Sequence, residues 1–420
     1  MYLFLCRTDK NGYAELLYHN AFFKAPRMVF YSIDEVKEGM VVAESIFDNT
    51  GRLLIAAGFQ IKQTVIDTLK RRGYLKVAIS VEGTETVIPE HIISQQIHRE
   101  MTSVLDQSSK NINTLFEKAR KTKADILNSI KTSKSAINDI VRKTDMVGII
   151  SKVIDDILTE PWTVVNLANL RQSGRGLYDQ SINVTIVSLC IGRKYNFSAD
   201  EMKQLGLGAL NYDLGMLAVP KEILEKEGVL TGKENSILRQ HTTYGYLMLS
   251  ENVIIPPTSS LVAFAHHECQ DGTGYPRGMK GENRPAGKSF SKVGLIHRFA
   301  EIVAIADTYD MLISGRKHFS PKLSPVEAFN KIVSMSGAKL NADIVKCFLS
   351  IMPMFPVGTR VRITAAPIAE LQGCFGVISK VNPDRVHEPQ VLVFESKNRQ
   401  KIKPLTLDFS KHKGFSIELA

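Results

Sequence analysis

The spacing of apolar residues changes along the chain and divides it before any single residue is considered. Over 28–90, short apolar pieces alternate with turn formers. Val41-Val42-Ala43 and Leu53-Leu54-Ile55 flank Asp48-Asn49-Thr50-Gly51, a hairpin signal. Residues 64–72 have helical spacing, Gly73 stops them, and 75–81 read as a returning strand. Together they predict a small α/β domain. Residues 1–27 have no clear period and read as an arm or an uncertain start, with Met28 as the alternative first residue.

From about 92 to 158 the period becomes helical. Val104, Ile112, Leu115, Ile126, Ile130, Ile137, Ile140 and Val141 recur at three- and four-residue intervals, and lysines such as Lys118, Lys121, Lys131 and Lys134 occupy the faces between. The pattern predicts a helical connector over 91–144, broken near Ser108 and Thr132. It would serve as a spacer, or as an element that relays a signal or forms a homodimer. Residues 145–352 are helix-rich. Beyond Pro353 short β-like runs return (Arg360-Val361-Arg362-Ile363, Gly376-Val377-Ile378, Val391-Leu392-Val393-Phe394), punctuated by Gly373, Asn382-Pro383 and Glu388-Pro389. A small antiparallel β domain over 353–420 follows. The fold class expected is mainly α, flanked by a small N-terminal α/β unit and the C-terminal β domain.

Composition narrows this picture modestly. A chain of 420 residues, 44% hydrophobic and 23% charged, is an ordinary multi-domain globular protein. No apolar run reaches the ~20 residues of a membrane span. The five cysteines lack paired spacing, which favours a reducing compartment, and the expectation is a cytoplasmic protein. The net charge of +10 is read as lysines solvating helix faces, a field that also favours small anionic ligands.

Chemistry concentrates in one segment. His266 to Pro276 read HHECQDGTGYP, with two histidines ending the apolar run Leu261-Val262-Ala263-Phe264-Ala265. Neutral imidazole is the commonest ligand for transition metals, and the glycines and proline that follow suit a shaped loop. Asp213 at an apolar helix end, His241 after another helix, and Asp307 inside Ile302-Val303-Ala304-Ile305-Ala306-Asp307 add three more donors. An unpaired aspartate in such a setting costs free energy, so a counter-charge or cation is expected. Any one of these is more simply a satisfied buried residue, and Tyr275-Pro276 alone is a stiff turn. Five donors in one helical region argue for a metal centre that hydrolyses or binds a phosphate ester.

The segment His266-His267-Glu268, Asp271-Gly272 and Gly274-Tyr275-Pro276 resembles the signature of HD-GYP domains, a branch of the HD phosphohydrolase superfamily. The resemblance extends over about 200 residues, through Leu230-Thr231, His241, Gly245, Ala306-Asp307-Thr308-Tyr309-Asp310, Arg316 and Leu323-Ser324-Pro325. It implies an all-helical HD-GYP domain over 145–352 and a centre of two or three metals, often iron or manganese. It also implies hydrolysis of cyclic di-GMP, a bacterial messenger. Asp213, His241, His266, His267 and Asp307 fall on the family's metal positions, with Asp213 bridging. Gly274, Tyr275, Pro276 and Arg316 fall on the side that meets the dinucleotide.

Four positions depart from the family pattern. The HD pair reads Tyr212-Asp213, the lysine three residues on is Met216, the earlier histidine is Gln180, and a glutamate is replaced by Gly176. Glutamine offers a neutral carbonyl oxygen, tyrosine ionises near pH ~10, and glycine offers nothing. One implied site (180, 212, Asp213, Asp307) has lost two of four ligands, whereas the other (Asp213, His241, His266, His267) keeps all four. Gln180 and Tyr212 are expected to hydrogen-bond to each other across the vacated position. The expectation is an HD-GYP protein holding a single divalent ion and cyclic di-GMP or a related dinucleotide, with hydrolysis reduced or lost. It would act as a receptor or scaffold among signalling partners. The alternatives are a working phosphodiesterase, another HD-type phosphohydrolase, or a nucleic-acid-linked role of the β domain.

Overall fold

The computed structural model describes residues 28–47, 53–72, 74, 76–87, 92–116, 122–159, 178–250, 252–287, 294–315, 318 and 321–420, together with two short paired strands, β1 (Arg7–Thr8) and β2 (Ala14–Glu15). The expected arm otherwise lies outside the described residues. In the N-terminal unit β3 (Met28–Ser32) pairs antiparallel with β6 (Lys76–Ser80), and β4 (Ile46–Phe47) with β5 (Leu53–Ile55). Helix α1 (Gln63–Arg71) lies between β5 and β6 in the chain. The expected hairpin therefore forms, but its first strand is Ile46–Phe47 and not 41–43. The reason lies in the neighbouring strand: Ser80 N donates to Val41 O and Ala43 N to Ala78 O, both at 2.8 Å. Val42, fully buried, fixes that register.

Helix α2 (Gln95–Phe116) runs unbroken through Ser108. The break expected there is absent because Ser108 lies on the face of Met101, Leu105 and Ile112, all buried. Burial of that stripe outweighs the weak helix preference of serine. The second break is present: α3 (Lys123–Thr132) gives way to α4 (Lys134–Lys143) at Ser133, and α5 (Met146–Thr159) follows. Ile126, Ile130, Ile137 and Val141 are at most 1% exposed and belong to one continuous core with Ile182, Leu205 and Phe299. The amphipathic faces read as a connector are thus pressed onto the later helices.

Those helices are α6 (Asp179–Lys194), α7 (Ala199–Leu210), a 3₁₀ turn (Leu214–Ala218), α8 (Lys221–Leu224), α9 (Gly232–Arg239), α10 (His241–Leu249), α11 (Pro257–Ala265), α12 (Arg298–Ser314), α13 (Pro325–Met335) and α14 (Ala342–Ile351). Capping boxes set three of the starts: Ser198 with Glu201, Thr231 with Glu234, and Ser324 with Glu327. Helix α12 is the axis of the domain, every residue from Phe299 to Asp310 being buried. Gly315, at φ 70°, ends it.

The chain finishes in a five-stranded antiparallel sheet of order β10-β9-β8-β7-β11, built from β7 (Arg360–Ala365), β8 (Phe375–Asn382), β9 (Arg385–Glu395), β10 (Lys401–Asp408) and β11 (Ser416–Leu419). Alternation along β8 and β9 gives it two apolar faces. Ile378, Val391 and Val393 fill its own core, whereas Val377, Leu392 and Phe394 enter the core of the N-terminal unit beside Val29, Val42 and Ile79. Phe30 N donates to Gly358 O (2.9 Å), and Arg360, 6% exposed, pairs with Glu35 on one side and Glu395 on the other. Sequence ends far apart in number are therefore one packed body. The fold is mainly α, and among the described residues no helix is long and apolar enough to cross a membrane.

His297 caps α12, its Nδ1 accepting from Phe299 N at 3.3 Å. Burial, and then the neighbouring Arg298, pull its pKa from 6.5 down to about 4. The unfolded chain therefore binds a proton below about pH 6.5 that the folded chain refuses until about pH 4, and stability is lost as pH falls through that window. The loss amounts to at most about 3 kcal/mol. His297→Asn keeps a capping acceptor without the titration. Urea unfolding at about pH 7 and about pH 4.5 should show a smaller acid loss in this variant than in the wild type; equal losses contradict the assignment.

Candidate metal centre

The start of one helix and the end of the next bring the histidines together. His241 opens α10, His266 caps α11 and His267 follows it, and their ligand-capable atoms all lie within 4.8 Å of one another. His241 Nδ1 sits 2.7 Å from Leu238 O, and His266 Nδ1 sits 3.1 Å from both Val262 O and Ala263 O. A carbonyl only accepts, so this network assigns the proton to Nδ1 and leaves Nε2 as a lone pair. Those two Nε2 atoms are 3.4 Å apart, and Asp213 Oδ1 is 3.4 Å from the first and 3.9 Å from the second. Three electron-rich atoms converging in a largely buried place suit a cation. Nitrogens bound at about 2.1 Å to one ion sit roughly 3–3.5 Å apart, so the donor set fits a transition metal.

Close backbone packing presses Asp213 onto this cluster. A Cβ on Gly215 would fall on the His241 carbonyl oxygen, so only glycine lets the 3₁₀ turn after Asp213 approach α10. Met216, at the position of the expected lysine, packs instead with Val219, Ile223 and Leu238 in a small apolar cluster. It offers no charge to a phosphate.

The Gly-Tyr-Pro loop is held rigidly beside the histidines. Tyr275 stacks on His267 with ring centres 4.7 Å apart, and the Arg239 guanidinium lies 4.9 Å from the Tyr275 ring centre. Gly274 has no room for a side chain, because a Cβ would meet the backbone of Cys269, Glu268 and His267. Glu268, 4% exposed, accepts from Arg277 N and Met279 N, both at 2.8 Å, and gathers the loop past Pro276. Asp271 accepts from Thr273 and Lys339, which hold its carboxyl down near 2.

Asp307 belongs to a different arrangement. It is 3% exposed on α12, and its Oδ1 accepts from Tyr212 OH at 2.7 Å and from Gln180 Nε2 at 3.1 Å. The two replaced residues thus meet through a shared carboxylate oxygen. One turn along, Asn183 Nδ2 donates to Asp310 Oδ1 at 2.9 Å. Gln180 and Asn183 on α6 match Asp307 and Asp310 on α12 at the same three-residue spacing, which tethers the two helices face to face. Asn183, Asp310, Glu268 and Arg239 were given no role by sequence reasoning. Asp310 and Glu268 lie inside the motif segments quoted above, but helix tethering, loop closure and ring stacking are roles that spacing does not encode. Gly176 and Arg316 lie outside the described residues.

Three histidines and Asp213 thus meet at helix ends, with Asp307 in a separate arrangement on α12. Residues 163–344 match the family model described as HD domain. The chain is 36% identical over 163 residues to a cyclic di-GMP phosphodiesterase of Thermotoga maritima, covering 38% of this chain and 40% of that protein. It is 28% identical over 258 residues to a cyclic di-GMP phosphodiesterase of Pseudomonas aeruginosa, covering 61% and 56%. A 3'3'-cGAMP-specific phosphodiesterase of Vibrio cholerae is 28% identical over 204 residues, covering 48% of this chain and 36% of the relative. The chain thus spans less than two thirds of the length of each of these relatives. Residues 163–344 thus resemble an HD domain.

The Tyr212 hydroxyl, on a ring that is fully buried, should contribute about 1.5–3 kcal/mol through its bond to the Asp307 carboxylate. Tyr212→Phe is expected to lower unfolding free energy by that amount in urea denaturation. A change below about 0.5 kcal/mol would show that the bond does not hold Asp307.

Proposed function

We propose that this protein serves cyclic dinucleotide signalling as an HD-GYP-type receptor or scaffold whose hydrolytic activity is reduced or lost. The observation that carries the proposal is the pair of hydrogen bonds from Tyr212 and Gln180 onto Asp307 Oδ1. Neutral donors stand where a second cation would otherwise compensate that carboxylate. A single divalent ion, iron or manganese as the HD-GYP resemblance implies, is assigned to Asp213, His241, His266 and His267. Such an ion supplies Lewis acidity toward a phosphate oxygen, whereas in-line displacement in two-metal hydrolases uses a pair of ions about 3.5–4 Å apart. Met216 removes a further phosphate partner, and Arg316 is the cation assigned to grip the dinucleotide. Tyr275, stacked on His267 and backed by Arg239, offers a ring edge and a charge to a bound base. The ligand is cyclic di-GMP or a related dinucleotide such as the mixed guanine–adenine form. Signalling partners and a homodimer complete the proposal.

The intact Gly-Tyr-Pro loop favours a second reading, an active metal-dependent phosphodiesterase, because a bare scaffold has no use for a rigid substrate loop. Turnover separates the two. With manganese supplied, the wild type should bind cyclic di-GMP but linearise it at least about tenfold more slowly than the double variant Gln180→His, Tyr212→His, equivalent to ~1.4 kcal/mol in barrier. Measurable wild-type turnover at a rate equal to or above that of the double variant supports the active enzyme and contradicts the receptor.

A further inference from the structure

We propose that Glu301 is a positioning residue: through Gln270 and Asn341 it anchors the loop that follows His266 and His267 to helix α12, the helix that carries Asp307. The proposal rests on the metal centre assigned above and adds what holds its histidine-bearing loop in register.

Glu301 is 9% exposed on α12, and Gln270 and Asn341 are 6% and 1% exposed. Its Oε1 accepts from Gln270 Nε2 at 2.6 Å and its Oε2 from Asn341 Nδ2 at 3.1 Å. Burial raises its carboxyl above the ordinary carboxylate range, and the two amides pull it back down. Replacing a buried polar group and its partners by apolar side chains of the same shape is often nearly neutral for stability. The network is therefore better suited to fixing a geometry than to holding the fold together.

Each amide carries the constraint outward. A carboxylate only accepts and a backbone N–H only donates, so both ends of Gln270 are fixed. Its Nε2 meets Glu301, and its Oε1 accepts from Asn283 N at 3.0 Å. Asn341 Nδ2 also donates to Arg284 O at 3.0 Å, and its Oδ1 accepts from Asp343 N and Ile344 N, capping α14. Asn283 closes the circuit, donating to Gly337 O and accepting from Ala342 N. Glu301 is thus the shared acceptor that ties the loop after His267, the 283–284 segment and the start of α14 to α12. Asp307 lies six residues further along that helix, about 9 Å at 1.5 Å per residue. One helix therefore carries both the Asp307 carboxylate and the anchor of the histidine loop. Ligand sets tolerate displacements of only about 0.5 Å, so a loosened anchor would show in metal affinity.

The test exchanges the partners. Glu301→Gln leaves one oxygen for two donors, so either Gln270 or Asn341 loses its acceptor. Adding Gln270→Glu restores every bond with the roles reversed. The carboxylate at position 270 then accepts from Asn283 N and from the amide at position 301, whose oxygen takes Asn341 Nδ2. Gln270→Met cuts the link from the loop side and should act like Glu301→Gln, so the test stands even where the latter does not fold. Val391→Ala, in the core of the C-terminal sheet, lowers stability away from the centre.

Two quantities are measured on the full chain: amide hydrogen exchange over 268–283 without metal, and manganese affinity by calorimetry. Glu301→Gln should speed exchange at Met279, Gly281 and Asn283 by about tenfold or more and weaken manganese binding about tenfold. The Glu301→Gln, Gln270→Glu double variant should return both to within about threefold of the wild type. Val391→Ala should leave manganese affinity and the relative protection of this loop unchanged. A wild type that binds no manganese removes the metal centre, and the exchange result alone then decides whether Glu301 anchors the loop. Unchanged exchange in Glu301→Gln overturns the proposal, as does a double variant no better than the single. Faster exchange with undiminished manganese affinity, or an equal loss of affinity in Val391→Ala, shows a merely structural contact and overturns it too.

Discussion

A carboxylate buried inside a helix has to be compensated, and the way Asp307 is compensated shapes the centre of this molecule. Helix α12 is covered on every side between Phe299 and Asp310, so neither aspartate can turn to water. Leaving such a charge unpaired would cost several kcal/mol. Tyr212 and Gln180 satisfy Asp307 with neutral donors, and Asn183 does the same for Asp310. Those three bonds set the distance between α6, α12 and the turn after α7. Through Gly215 that turn in turn fixes where Asp213 meets His241.

The consequence is an asymmetric centre. On one side, imidazole nitrogens with their protons committed to backbone carbonyls face a carboxylate. On the other, a phenol and an amide occupy the space around a carboxylate and neutralise nothing. The proposed single-ion centre follows from this asymmetry.

Much of this was legible in the sequence because it is local. The HHECQDGTGYP run and the apolar ends at Asp213 and His241 mark the residues that converge, and Asp307 within an apolar stretch marks the separate buried carboxylate. The helical class, the α/β beginning and the β ending follow from spacing. The geometry between Gln180, Tyr212 and Asp307 was only half legible. The two replacements stood out, but their shared acceptor depends on how α6 crosses α12. Ser108 misled because its propensity is weak while its stripe is buried, and 41–43 misled because β6 competes for that backbone. Nothing in the spacing told that Val377, Leu392 and Phe394 would enter the N-terminal core, since that contact joins the two ends of the chain.

The count of ions per chain bears most directly on this account. Crystals of the full chain grown with manganese, with anomalous scattering recorded at the manganese edge, would locate every bound ion. The account predicts a single peak among Asp213, His241, His266 and His267, with the Tyr212 hydroxyl in contact with Asp307. A second peak of comparable height bound by Asp307, with Tyr212 or Gln180 as its ligand, would contradict it.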